Sequence, residues 1–134
     1  MIVVDTNIIA YLYLPNPLRE SAVALLRADR AWRAPLLWRS EFRNVLGGYL
    51  RRADLALEAA LSIYEAAVDL MRPGESAPPT GTVLGCVVAS ALTAYDCEFV
   101  SLAQSLCCRL ITADRQILSA FPQQAVELRT YLNA

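Results

Sequence analysis

The sequence predicts an α/β domain built on a largely parallel β-sheet. Short apolar segments alternate along the chain with longer segments in which apolar residues recur every three or four positions. Two of the short segments end at or near an aspartate, as strands that lead into a ligand site often do. The 134 residues are 56% hydrophobic, which is enough to fill one core. We therefore expect residues 1–134 to form a single domain.

The order of elements follows from these patterns and from the residues that begin and end helices. The predicted strands are 2–4, 31–34, 109–112 and 126–128, and the predicted helices cover about 16–28, 36–52, 54–71 and 82–92, with two more opening at Asp96 and Asp114. Asn16 should cap the first helix and Asp54 the third. The core side of helix 54–71 should comprise Leu57, Leu61, Tyr64, Val68 and Met71. The apolar run 84–92 is too short to span a membrane and predicts a buried helix.

Two residue types are absent, and this narrows the possible chemistry. The chain has no histidine, which excludes Ser-His and Cys-His nucleophilic catalysis and a histidine general base. All 12 basic residues are arginine, so neither a P-loop lysine nor a Schiff base is available. The cysteines form no CxxC pair, and we expect reduced core thiols in a cytoplasmic protein. Catalysis would depend on carboxylates, hydroxyls, arginines or a bound metal.

Three aspartates occupy positions where a ligand site and a helix cap are equally good explanations. Asp5 directly follows the strand 2–4, Asp114 follows the strand 109–112, and Asp96 opens a helix. Ligand sites of α/β sheets lie outside the carboxyl ends of the strands. Aspartate is also a common N-cap residue. Nearby Glu98 points away from the apolar face of its helix and should be solvent-exposed.

Glu41 is less easily explained as an ordinary surface residue. It lies three residues after Trp38 and four before Val45, within an apolar stripe of the helix 36–52. A buried glutamate costs several kcal/mol unless a cation or hydrogen bonds compensate its charge. A distant arginine is one possible partner, and a metal ion is the other.

Four converging carboxylates without nitrogen or sulfur ligands favour Mg²⁺ or Mn²⁺. Ions held in this way activate water and neutralise charge on a phosphodiester. The pattern therefore favours a metal site of Asp5, Glu41, Asp96 and Asp114 with chemistry on a phosphodiester.

Four motifs occur in order along the chain: Val3–Asn7, Ser40–Asn44, Tyr95–Ala103 and Leu110–Arg115. They resemble the motifs of PIN-domain nucleases, and in particular those of the VapC toxins of bacterial toxin–antitoxin pairs. The resemblance implies a three-layer PIN-like fold with a central, mostly parallel sheet flanked by helices. It implies a metal-dependent endoribonuclease in which the four acids are the metal ligands and catalytic residues, and in which Thr6, Asn7 and Thr112 orient ligands or water around them. It also implies a homodimer, an RNA substrate and a cognate antitoxin, whereas 73–81 resembles the family least.

Other classes fit less well. A phosphoacceptor receiver module needs a lysine, and a haloacid-dehalogenase-like phosphatase needs a lysine and Asp-x-Asp, whereas the first strand here leads into Asp5-Thr6-Asn7. A PIN nuclease that processes RNA without being a toxin, and a PIN domain that only binds RNA or a partner, both stay open. With a net charge of −1, RNA contact would fall to arginines, and the candidates are Arg39, Arg43 and Arg115.

Overall fold

In the computed structural model, which describes residues 1–134, five parallel strands form a central sheet flanked by eight helices. The strands are β1 (Ile2–Val4), β2 (Trp32–Pro35), β3 (Glu75–Ser76), β4 (Leu110–Ile111) and β5 (Ala125–Val126), and they lie in the order β3-β2-β1-β4-β5. The predicted fold class is therefore confirmed. β1 is central and fully buried because apolar side chains fill both of its faces.

The helices are α1 (Thr6–Tyr13), α2 (Arg19–Ala28), α3 (Leu37–Arg51), α4 (Leu57–Met71), α5 (Thr80–Val88), α6 (Ala94–Ser105), α7 (Arg115–Ala120) and α8 (Leu128–Leu132). The sequence did not predict α8, which Glu127 caps with two backbone hydrogen bonds where a strand was expected. The prediction that Asn16 caps α2 is wrong: the helix begins at Arg19 with Leu18 at its N-cap position, and the side chain of Asn16 accepts from the N–H of Leu18 in the turn before it. No helix is both long enough and apolar enough to cross a bilayer.

Two predictions about the outer helices are wrong. Asp54 does not cap α4; it pairs with Arg52, and the helix begins after Ala56. Leu57 and Leu61 are exposed, since small residues on the adjacent face allow α4 to pack closely through Ala60, Ala67, Val68 and Met71. The apolar run 84–92 is not a buried helix either. α5 ends at Val88, with only Val83 and Cys86 buried.

The edge strand β3 connects the sheet to α3. Gly74 precedes it at a point where a Cβ atom would collide with the carbonyl oxygen of Trp32, so only glycine fits there. Glu75 then accepts hydrogen bonds from the indole Nε1 of Trp38 at 2.8 Å and from Nε and Nη2 of Arg39 at 2.6 Å each. This buried carboxylate anchors the first turn of α3 to the sheet edge.

Candidate active site

Asp5 and Thr112 meet at the carboxyl edge of the sheet. In the pairing of β1 with β4, Val4 lies opposite Ile111, so the next residues along the two strands are neighbours. The hydroxyl of Thr112 donates a 2.7 Å hydrogen bond to Oδ2 of Asp5. The backbone N–H of Thr6 donates to Oδ1 at 2.8 Å. Asp5 therefore caps α1, as one of the two sequence-based explanations held, and it also lies at the carboxyl edge of the sheet, where the other predicted a ligand site.

Asp5 is buried, and its surroundings disfavour ionisation. Desolvation raises its pKa to about 6, and the carboxylates of Glu41 and Asp96 act in the same direction. The hydrogen bonds from Thr112 and Thr6 oppose this shift only in part. Without a cation, Asp5 therefore holds a proton over part of the weakly acidic range.

In metal-free protein, we expect Asp5 to make stability fall as pH rises from about 4 to about 6. Its pKa is about 6 when folded, against 3.8 as the reference, so the folded state binds more protons in this interval. Its contribution is complete below pH ~4 and lost above pH ~6, a change of roughly 3 kcal/mol. Urea melts of wild type and Asp5→Asn in EDTA, at several pH values, measure this pH-dependent contribution to the free energy of unfolding. Parallel pH profiles of the two proteins would contradict this assignment.

Glu41 is half-buried on the cleft side of α3. Its Oε1 accepts a 2.7 Å hydrogen bond from the hydroxyl of Thr6. Burial raises its pKa, and the charges of Asp96 and Glu98 raise it further. No arginine forms an ion pair with Glu41. The alternative of a distant compensating arginine is therefore wrong, and the hydroxyl of Thr6 donates the only side-chain hydrogen bond to this carboxylate.

We expect Glu41→Gln to leave the stability of the metal-free protein unchanged or slightly higher. Glutamine retains an oxygen that accepts from Thr6, and the substitution removes a charge that its acidic neighbours repel. Denaturant melts in EDTA measure the difference from wild type. A loss of about 3–5 kcal/mol, as expected when one partner of a buried ion pair is removed, would show an undetected cationic partner.

Asp96 and Asp114 each lie at the start of a helix. Thr93 caps α6, and its hydroxyl accepts from the N–H of Asp96 at 3.2 Å. Burial raises the pKa of Asp96, and the charge of Asp114 raises it further. Asp114 caps α7, where its Oδ1 accepts two backbone N–H groups at 2.8 and 3.2 Å. One oxygen of Asp114 thus supports the helix, and the other makes no hydrogen bond.

The four acids line one open cleft of about 670 Å³, together with Thr6, Asn7, Leu37, Ser40, Asn44, Val45, Thr93 and Tyr95. Asn7 is fixed by accepting from the N–H of Ala113 at 3.4 Å. In these side-chain positions no three of the acids are grouped closely enough to hold one ion. The donor set of carboxylate, hydroxyl and amide oxygens nevertheless fits Mg²⁺ or Mn²⁺, which prefer hard oxygen ligands.

None of the three candidate arginines lines the cleft. The guanidinium of Arg39 is bound to Glu75 on the far side of α3. Arg43 donates to the hydroxyl of Ser40 at 3.0 Å and is the only one of the three whose side chain forms a hydrogen bond to a cleft residue. Arg115 lies beyond Asp114 at the start of α7. The cleft is therefore acidic, with no cationic side chain in its walls.

Several cleft residues were not identified from the sequence. Asn44 is one helical turn after Glu41, so the periodicity of α3 could have placed it on the same face. Thr93, the N-cap residue, and Tyr95 both precede Asp96 at the start of α6, and no spacing rule indicates that both face the cleft. The expectation that Glu98 is fully solvated is wrong. It is half-buried, and burial raises its pKa.

Comparison with solved structures defines the class of fold. The crystal structure of PAE2754 from Pyrobaculum aerophilum matches with a TM-score of 0.78 and 22% identity, covering 98% of this chain and 93% of that chain. A toxin–antitoxin complex from Klebsiella pneumoniae matches with a TM-score of 0.70 and 16% identity, covering 96% and 98%. These likenesses identify a PIN-like α/β fold.

The sequence comparisons identify the family. A protein described as Ribonuclease VapC3, from Pyrobaculum aerophilum, is 27% identical over 124 residues, which are 90% of this chain and 95% of that protein. The model of the PIN domain matches residues 2–122. This chain therefore belongs to the PIN-domain family, as the four motifs indicated.

Proposed function

We propose that this protein is a Mg²⁺- or Mn²⁺-dependent endoribonuclease. The observation that supports this most strongly is the convergence of Asp5, Glu41, Asp96 and Asp114 in one open cleft. Burial and mutual repulsion raise the pKa of three of them, a cost that a bound cation would offset. The relative described as a ribonuclease supports RNA as the substrate.

Hydrolysis of the RNA phosphodiester would need contributions from both the ion and the protein. When bound, the ion would neutralise charge on the phosphodiester and lower the pKa of water. The four acids would hold it. Thr112 and Thr6 would keep the carboxylates of Asp5 and Glu41 in fixed orientations through their 2.7 Å hydrogen bonds. The cleft is open to solvent, and internal cleavage requires that a strand reach the acids without a free end entering first.

Incubation of purified protein with total RNA tests this proposal. We expect internal cleavage with Mn²⁺ or Mg²⁺ and none with EDTA, and sequencing of the new ends would identify the site. RNA that stays intact with either ion, in the presence of folded protein, would overturn the proposal.

We further propose that the protein is the toxin of a toxin–antitoxin pair and acts in the cytoplasm. The structural match to a toxin–antitoxin complex and the VapC3 relative support an antitoxin partner. Its four free cysteines suit a reducing compartment. Expression alone should arrest growth, and co-expression of the adjacent gene product should restore it. Unimpaired growth, with RNA cleavage intact, would favour an RNA-processing role.

A homodimer is also proposed, through the outer face of α5. Residues 76–95 contain no charged side chain, and Leu84 and Val88 on this helix are 54% and 89% exposed. Exposed apolar surface of this kind marks interaction sites. Light scattering should give twice the 14.7 kDa chain mass, whereas a monomer at micromolar concentration would contradict the dimer.

A further inference from the structure

Tyr95 is an exposed aromatic residue in an acidic cleft, and it has no part in holding the proposed metal ion. It lines the cleft beside Thr93 and Asp96, yet 63% of its surface is exposed. Its hydroxyl makes no hydrogen bond within the protein. Its backbone is fixed, because Tyr95 lies in the first turn of α6, which Thr93 caps. A largely exposed ring on a fixed backbone, with no hydrogen bond of its own, is available to stack on a planar ligand.

The negative charge of the cleft means that an RNA ligand needs a contact that does not depend on charge. Four carboxylates and no cationic side chain line the walls, so the phosphate backbone gains no attraction from protein charges there. A bound ion offsets the repulsion at one phosphate only. Base stacking does not depend on charge, and every base offers a π-face. Tyr95 is the only aromatic side chain in the cleft lining.

We propose that Tyr95 stacks on an unpaired base next to the phosphate that is cleaved, and so selects single-stranded RNA. This inference rests on the proposed nuclease function. Because Tyr95 and Asp96 are consecutive and line the same cleft, a phosphate held by an ion that the acids bind would place a neighbouring nucleotide within reach of the ring. In a duplex both faces of that base are already stacked, and the ring is excluded. Tyr95 therefore positions the substrate and does not take part in bond cleavage.

Binding to a labelled RNA tests this proposal independently of cleavage. The probe is an unstructured 20-nucleotide RNA containing 2-aminopurine, measured in the Asp5→Asn background, which keeps Tyr95. We expect Tyr95→Ala to raise Kd roughly 10- to 100-fold, as for loss of one stacked base, and Tyr95→Phe to bind as tightly as the parent. Quenching of 2-aminopurine on binding should persist with phenylalanine and disappear with alanine. Leu61→Ala is the control, because Leu61 lies on α4 outside the cleft lining and is similarly exposed at 54%, and it should change nothing.

Kinetics of the active protein give the second readout. Stacking is present in the bound ground state as well as in the transition state, so Tyr95→Ala should raise KM while kcat stays within a few-fold. It should also reduce the preference for the single strand over its perfect duplex. If wild type cleaves RNA and Tyr95→Ala has the same Kd, KM and strand preference, the proposal fails and the nuclease function stands. If wild type neither binds nor cleaves RNA, both fail. A variant with altered oligomeric state but unchanged RNA binding would assign Tyr95 to a protein interface instead.

Discussion

We expect Asp96→Asn to lower the rate of RNA cleavage at least about 100-fold, since stabilisation of transition-state charge by a bound ion amounts to several kcal/mol. Asparagine keeps the size of the side chain and removes one ligand charge. The fold should survive, because Thr93 caps α6 through the backbone N–H of residue 96, which the substitution leaves in place. Cleavage rates with saturating Mn²⁺ measure the effect.

Asp54→Asn is the control for the loss of one negative charge from the protein. Asp54 is exposed, pairs with Arg52 and lies outside the cleft lining, so this variant should cleave RNA as wild type does. Circular dichroism and urea melts establish that both variants are folded. An Asp96→Asn variant that cleaves at the wild-type rate would show that this acid is wrongly placed in the active site.

The largest loss of stability is expected from Glu75→Gln. The carboxylate of Glu75 accepts from Trp38 and twice from Arg39, and it is buried. Glutamine lacks the charge and directs an N–H group at donors that need an acceptor. Loss of one partner of a buried pair costs about 3–5 kcal/mol, and because Arg39 can still reach solvent we expect about 2–4 kcal/mol here.

A matched control is available on the neighbouring helix. Asp69 and Arg72 form an exposed ion pair at 3.4 Å, for which solvent screening leaves little net energy, so Asp69→Asn should cost at most about 0.5 kcal/mol. Urea melts compare the two variants, and Trp38 fluorescence reports loss of the indole hydrogen bond. Equal free energies of unfolding for Glu75→Gln and Asp69→Asn would mean that the β3–α3 connection stabilises the fold no more than an exposed ion pair does.

The parallel sheet and the positions of the acids could be predicted because both follow from local patterns. β1 and the strand before Thr112 are short and apolar, and parallel strands bring their carboxyl ends to one edge. Asp5 and Thr112 therefore meet at that edge. The sequence could not distinguish a helix cap from a candidate metal ligand, because Asp5 and Asp114 each cap a helix and also line the cleft.

Features that depend on tertiary packing were not predictable. β3 has two residues, and its pairing with β2 depends on close approach at Gly74 rather than on any apolar period. The helical period placed Leu57 and Leu61 in the core, but Ala60 and Ala67 form the packed face of α4. Arg39 was a candidate for RNA because sequence cannot show that Glu75, 36 positions away, binds it.

Titration of the protein with Mn²⁺ tests most directly whether the four acids hold a cation. Calorimetry should show binding to wild type, and the melting temperature should rise with Mn²⁺ concentration, since a ligand specific for the folded state stabilises it by mass action. Asp5→Asn should bind more weakly and show a smaller rise. Absence of binding heat together with an unchanged melting temperature across millimolar Mn²⁺ would contradict the metal-dependent mechanism.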